Sequence, residues 1–390
     1  MPQLAAWEKV YINPEQLPTF QASAHGELPC ESCHSGDPEL IGENSEENMA
    51  SAHAGLIAEP SSAENIDETC RYCHPGISAK NETSMHANLT GEKNFLAQRA
   101  GAESFEALPP SVKEGYDKDC YKCHTTCGDC HVTRPNSVES GFLNSHMFQS
   151  PDRDLNCTAC HGSRVGEEYL GERDAQRDVH YIPGAMHCID CHDQTEMHGD
   201  GTEYPHRMSV DMMPRCEDCH SDVTEANHYH EVHWGDMSCS VCHSQEYKNC
   251  NSCHAGEGLA EPSYIDFKIG LNPLPEERDY EYVTLRHIPI SKDTYKNWGL
   301  TELSNFTVMP TWKYTVPHNI RRWTARTDTS GGKSCMESCH IDGANDAVSR
   351  SYFLLQDSLE AQFPESEYPG EIEANSGVVV DDALPPNWLQ

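Results

Sequence analysis

Apolar positions are sparse along this chain and seldom fall into long periodic runs. Two short stretches have helical spacing, EKNFLAQRAG (residues 92–101) and VKEGYDKDCYKC (112–123). Three others are β-branched and aromatic with partial alternation: SYIDFKIGL (263–271), YEYVTLRHIPI (280–290) and FTVMPTWKYTV (306–316). They predict two to four strands within residues 255–334. NDAVSRSYFLLQDSLEAQF (345–363) predicts one helix, followed by a Pro- and acid-rich extension for which disorder is the default. Gly, Pro and Asn punctuate most of the remainder, which reads as loop. No apolar run approaches the length needed to span a bilayer. The start, MPQLAAWEKVYINPEQ, has neither the basic region nor the apolar core of a signal peptide.

Composition sharpens the question of what fills the interior. Hydrophobic residues make up 37% of 390, and 63 acidic side chains face 27 basic ones, for a net charge of −36. Such a chain is short of apolar side chains for a conventional core. The charge argues against nucleic-acid binding, which needs basic patches on phosphates, and against anionic membrane surfaces. Residues 31–70 hold ten acidic residues and no Lys or Arg, read as a solvated face.

The 20 cysteines fall into ten pairs with none left over. Nine read Cys-x-x-Cys-His: Cys30/Cys33/His34, Cys70/Cys73/His74, Cys120/Cys123/His124, Cys127/Cys130/His131, Cys157/Cys160/His161, Cys188/Cys191/His192, Cys216/Cys219/His220, Cys239/Cys242/His243 and Cys250/Cys253/His254. Chance would give about 0.06 such matches. Structural zinc, a disulfide framework and thioredoxin-like pairs all leave the following His unexplained. Haem attachment explains every position: two thiols add to the two vinyls of one porphyrin, and the next residue becomes a proximal iron ligand. The tenth set, Cys335, Cys339 and His340, has one extra residue between its cysteines. It reads as haem if the loop bulges, or else as a disulfide or thiol pair beside an ordinary His. The count expected is therefore ten haem c groups, the tenth depending on this longer spacer.

Thirteen histidines lie outside the motifs. Six follow a motif His at similar intervals: His53, His86, His146, His180, His206 and His233. Three share a local look, SAHAGL, SMHANL and NSHMF, as short helices presenting one inward His would. With His25, His198, His287 and His318 they make ten candidate distal ligands, leaving His187, His228 and His230 as spares. The alternative for each is a solvent-exposed or propionate-bonding His. Two protein ligands per iron leave no open position, so the expected task is electron transfer and not catalysis. The 12 Met residues are the minority choice of ligand.

Nine motifs within Cys30–His254 allow 25 residues each, too few for separate folds. The expected fold is mostly coil with short α-helices wrapped around a stacked haem array, with a small strand section at 255–334. The expected segments are a nine-haem array at 1–254, a haem-free β-rich insert at 255–334, and the tenth site with an acidic tail at 335–390.

With these motifs the sequence resembles the multihaem c-type cytochromes. The resemblance implies attachment of haem after export and electron transfer along closely packed haems. It lacks the Cys-x-x-Cys-Lys site of the nitrite-reductase branch. It is shorter than the outer-surface decahaem reductases, and the porin-threading conduits have no comparable haem-free strand region. The extracellular cytochrome filaments are most similar in kind. They imply an extracellular or cell-surface location, with the periplasm as second choice. They also imply redox partners or extracellular electron acceptors, and a homopolymer with haem contact between subunits. The alternatives are a multihaem oxyanion reductase with one five-coordinate haem, in which the three spare histidines line a substrate site, and a discrete periplasmic shuttle.

Overall fold

The computed structural model describes residues 17–37, 50–135, 141–142, 146–151, 154–171, 176–225, 227–246, 267–332, 334–340, 350–381 and 383. The chain divides into two compact units that do not follow the three sequence segments. The first is Met1–Thr90, Cys120–Cys160 and His192–Tyr204; the second is Gly91–Asp119, His161–Cys191 and Pro205–Gln390. No helix among the described residues is long and apolar enough to cross a membrane.

The first unit is built from single helical turns, many of them made by the motifs: Glu31–His34, Cys70–Cys73 and Cys127–His131. Local polar groups start them. Thr126 Oγ1 accepts from the Asp129 amide while the Asp129 carboxylate accepts from the Thr126 amide, a closed capping box at the head of Cys127–His131. Ser84 likewise caps Met85–Asn88 by accepting from the Ala87 amide at 3.2 Å. Phe20, Ile66 and Val132 are the buried apolar side chains of this unit among the described residues.

The second unit has a conventional core. The helices read at 92–101 and 112–123 are present as Thr90–Ala100 and Pro110–Asp119. Three strands form an antiparallel sheet in the order β1 (Lys268–Leu271), β2 (Tyr282–His287) and β3 (Trp312–Tyr314). Leu285 lies opposite Tyr314, and His287 opposite Trp312. Alternation then sends Val283, Leu285, Trp312 and Tyr314 to one face, where Leu354, Leu359, Phe363 and Val378 cover them. A second cluster gathers Val241, Ile269, Tyr352, Phe353, Leu355 and Val380.

The helix expected over 345–363 is present as the shorter Gln356–Gln362, and the apolar residues of that stretch, with Val378 and Val380 of the extension after it, close the core. Leu354 N donates to Ile269 O, and Leu271 N to Val378 O, so this segment runs along β1. Asp357, Glu360, Glu365 and Glu367 stay exposed while Leu354, Leu355, Leu359 and Phe363 turn inward. Each fully buried Leu or Phe contributes roughly 1.5–3 kcal/mol, enough to hold an otherwise acidic segment. Gly270 permits the close approach: a Cβ there would meet Leu285 Cδ1 at 2.1 Å and Val378 O at 2.7 Å.

Candidate haem-iron sites

Helical turns bring the two sulfurs and the next His of most described motifs together. In three of them the His amide donates back to the carbonyl of the first Cys at 2.9 Å: His34 to Cys30, His74 to Cys70 and His220 to Cys216. In the tenth set the extra residue is taken up without a loop: Cys335–Cys339 is a five-residue helix that ends at His340. The ninth set, Cys250, Cys253 and His254, lies outside the described residues.

The third motif departs from this pattern, and Cys123 is where it does so. Cys123, read from its spacing as a haem anchor, is exposed and ends the three-residue 3-10 turn Tyr121–Cys123. The His124 amide donates to Tyr121 O, one residue short of the first Cys, and His124 itself is extended. The cause is the two-residue link to the next motif. Thr125 N is tied to His86 O at 3.2 Å and Thr126 caps the following helix, so the chain must leave the turn early. Cys30, Cys73, Cys191, Cys216 and Cys219 are exposed too, but each belongs to or flanks an α-helical turn.

Six motif histidines each face one His from elsewhere in the chain. In the first unit, ring centroids are 6.1 Å apart for His74 and His25, 6.0 Å for His34 and His146, and 6.2 Å for His131 and His198. In the second they are 6.1 Å for His220 and His180, 6.1 Å for His243 and His230, and 6.4 Å for His340 and His233. A metal–imidazole bond of about 2 Å, with about 1 Å more to each ring centre, puts two opposed ligands of one metal about 6 Å apart. The residues present fit an iron between each pair.

The second ring nitrogens agree with this. His34 Nδ1 meets Ile57 O at 2.7 Å, His131 Nδ1 meets Gln149 O at 2.8 Å, and His243 Nδ1 meets Arg321 O at 3.0 Å. His233 Nδ1 meets Tyr229 O at 2.8 Å, and His180 Nδ1 meets Asp178 Oδ1 at 2.8 Å. With Nδ1–H donating to oxygen, Nε2 is left as the metal-binding nitrogen, the usual arrangement of a ligating His. His192 follows suit, its Nδ1 lying 2.8 and 2.9 Å from the two Glu196 oxygens. Burial acts to lower the His192 pKa, but the bond to Glu196 outweighs it and the net shift is upward. His86 is deeply placed beside it: burial lowers its pKa, Glu196 opposes, and His192 and His198 lower it further.

Of the ten distal candidates, His25, His146, His180, His198 and His233 therefore face a motif His, and His86 neighbours His192. His206 and His287 turn Nε2 to carboxylates instead, Glu277 at 3.1 Å and Glu371 at 3.8 Å. His287 sits in the sheet core between Trp312 and Phe363, at 5.5 and 4.7 Å. His53 is exposed, and the His318 amide donates to Glu168 Oε2. The proximal candidate His124 stacks on Tyr121 at 4.2 Å; His161 ends the helix Leu155–His161. His230, set aside as a spare, is the partner of His243. Asn227 caps the helix His228–His233. Residues three apart share a helix face, so this helix offers both His230 and His233, each to a different motif. That spacing was the available signal.

The sulfurs order the motifs within each unit. Burial raises the Cys33 thiol, and Cys70 and Cys73 raise it further; burial and then Cys70 do the same to Cys127. Burial pushes Cys130 up to about 12, with Asp129, Cys157 and Cys160 adding to it. The first unit thus holds a run through motifs one, two, four and five. In the second unit burial and Cys219 raise Cys191, and the close approach of Cys216 and Cys239 lowers the former and raises the latter, while Cys239 Sγ donates to Glu217 Oε1 at 3.7 Å. Burial, then Cys242, pushes Cys339 up to about 12. This second run passes through motifs six, seven, eight and ten. These shifts belong to the free thiols, before attachment. The ligand atoms of Cys216, Glu217 and Cys239 lie within 4.8 Å of one another.

Residues 69–162 match the family described as cytochrome c554 and c-prime. No curated protein and no solved structure matches the chain. The matched segment contains the motifs from Cys70 to His161, four of those just described. The match over that segment indicates a c-type cytochrome, and with it supports haem c held through Cys-x-x-Cys-His and electron transfer.

Proposed function

We propose that this protein is a decahaem electron conduit, its irons held by two histidines each, acting outside the cytoplasm in extracellular respiration and assembling head to tail as a filament. The recurring His–His separation of 6.0–6.4 Å supports the reading most directly. Each such pair joins one motif His to one His outside the motifs, as bis-His ligation requires. Haem c, when bound, supplies a reversible one-electron iron couple. The chain's own residues do the rest. Paired histidines would hold each iron and leave no site on it for substrate, Nδ1 bonds fix the ring orientation, and runs of neighbouring motifs keep successive sites close. The acidic surface favours basic or cationic redox partners.

Haem content by pyridine haemochrome assay, together with ferric EPR, tests this. Ten haems per chain, all low-spin, are expected. A stoichiometric high-spin signal would point instead to an oxyanion reductase with an open iron. Negative-stain imaging and light scattering test assembly: a monodisperse monomer removes the filament and leaves a shuttle.

A further inference from the structure

One face of the sheet carries an unusual gathering of positive charge for so acidic a chain. Arg286 and Lys313 lie directly opposite each other on β2 and β3. Like charges in that position repel. Arg99 approaches from the helix Thr90–Ala100, fully buried, with its guanidinium 4.9 Å from the ring centres of both Phe95 and Phe306. Its Nη atoms donate to the carbonyls of Phe306, Met309 and Pro310, while its buried Nε has no hydrogen-bond partner. Arg207 reaches in from an exposed position and donates to Tyr314 O at 3.3 Å.

Lys313 is the most exposed to this conflict. Its ammonium sits over the Phe95 ring at 5.0 Å, and among the described residues it has no ion-pair partner. Burial lowers its pKa, and Arg99 and Arg207 lower it further, to about 7. The field of Glu371 reaches Arg99. A half-buried ammonium without an ion-pair partner among the described residues is half of an interaction whose other half is an anion.

The same face touches a haem motif. Thr284, two residues before Arg286 and so on its side of β2, hydrogen-bonds Ser240 at 2.9 Å, and Ser240 lies between Cys239 and Cys242. Arg207 directly follows His206. We propose that Lys313, with Arg286, Arg99 and Arg207 around it, forms a carboxylate-binding site whose occupant is a haem propionate. The proposal rests on the haem reading above. A propionate needs charge-assisted donors, and guanidinium and ammonium groups beside an attachment helix provide them. Positive charge held there also favours the reduced haem, which is one unit more negative than the oxidised one.

Spectroelectrochemical titration of the haem-loaded chain tests this with K313M and the charge-preserving K313R. At unchanged haem content, K313M should move the midpoint of one haem to lower potential, and K313R should restore it. R207Q, at an exposed position, should move the same haem in the same direction by less, and carries the test if K313M loads haem poorly. Unshifted midpoints in a fully loaded K313M or R207Q overturn the proposal. Calorimetric titration of wild type with inorganic phosphate and with nitrite covers a free oxyanion as occupant. Binding of either that K313M abolishes overturns the propionate assignment. A haem count below the number of motifs counts against the haem reading itself, so the two failures are distinguishable.

Discussion

Among its described residues the unit made of Met1–Thr90, Cys120–Cys160 and His192–Tyr204 buries the apolar side chains Phe20, Ile66 and Val132, yet it carries a run of haem motifs. The unit that contains the sheet buries Trp312, Leu285, Phe363 and the other apolar side chains around them, and it carries such a run as well. The contrast teaches that haem sites are compatible with two kinds of interior. In the sheet unit the side chains exclude water without help. In the other, helical turns of four or five residues cannot bury enough surface to offset their conformational entropy. On the proposed reading, bound porphyrins would supply what the side chains lack.

The strongest way to break this contrast is to withhold haem. Limited proteolysis of chain made without attachment should cut rapidly within 17–90 and 120–160 and slowly within 267–290 and 350–381. Equal cleavage of both would end the distinction. Next in size is the core itself. Leu285→Ala in the loaded protein should cost roughly 2–5 kcal/mol in chemical denaturation, whereas truncating Ile66 in the unit without the sheet should cost less. Ligand variants sharpen the comparison at single sites: H146A and H230A should each produce one high-spin ferric haem by EPR, while H206A and H287A leave the low-spin count unchanged. A high-spin signal from H287A would move that residue from the core to an iron.

The smallest effect concerns a buried acid. Burial raises the pKa of Glu92, and the bond from Tyr116 only partly opposes this. A carboxyl raised on folding stabilises below its unfolded pKa and loses that contribution as pH rises through the folded value. Glu92→Gln should therefore give a slightly higher thermal midpoint at pH 7 and no difference at pH 4.

Attachment was legible because covalent chemistry fixes the spacing of Cys30, Cys33 and His34 and their counterparts within one helical turn. The looser turn at Cys123 was not, because it follows from where Thr125 is tied and not from the motif itself. The strands were legible because residues such as Val283 and Leu285 alternate with polar neighbours. Ligand pairing was not. The repeated intervals from His34 to His53, His131 to His146 and His220 to His233 are not the pairs the fold makes. His34 meets His146, 112 residues away, and His131 meets His198. Loops that wrap a cofactor decide which rings meet, and no local pattern encodes that return. The C-terminal segment was obscured for a different reason: its acids dominate the composition, while Phe353, Leu354 and Leu355 decide its place.

The closeness of Cys216 and Cys239 has a consequence for how the protein is made. Two thiols from different motifs whose sulfurs lie within 4.8 Å of each other are ready partners for oxidation in any compartment that favours disulfides. A bridge between them would close two attachment sites at once. Thioether formation consumes free thiols, so were that bridge to form, it would have to be reduced before either sulfur could take up a vinyl group.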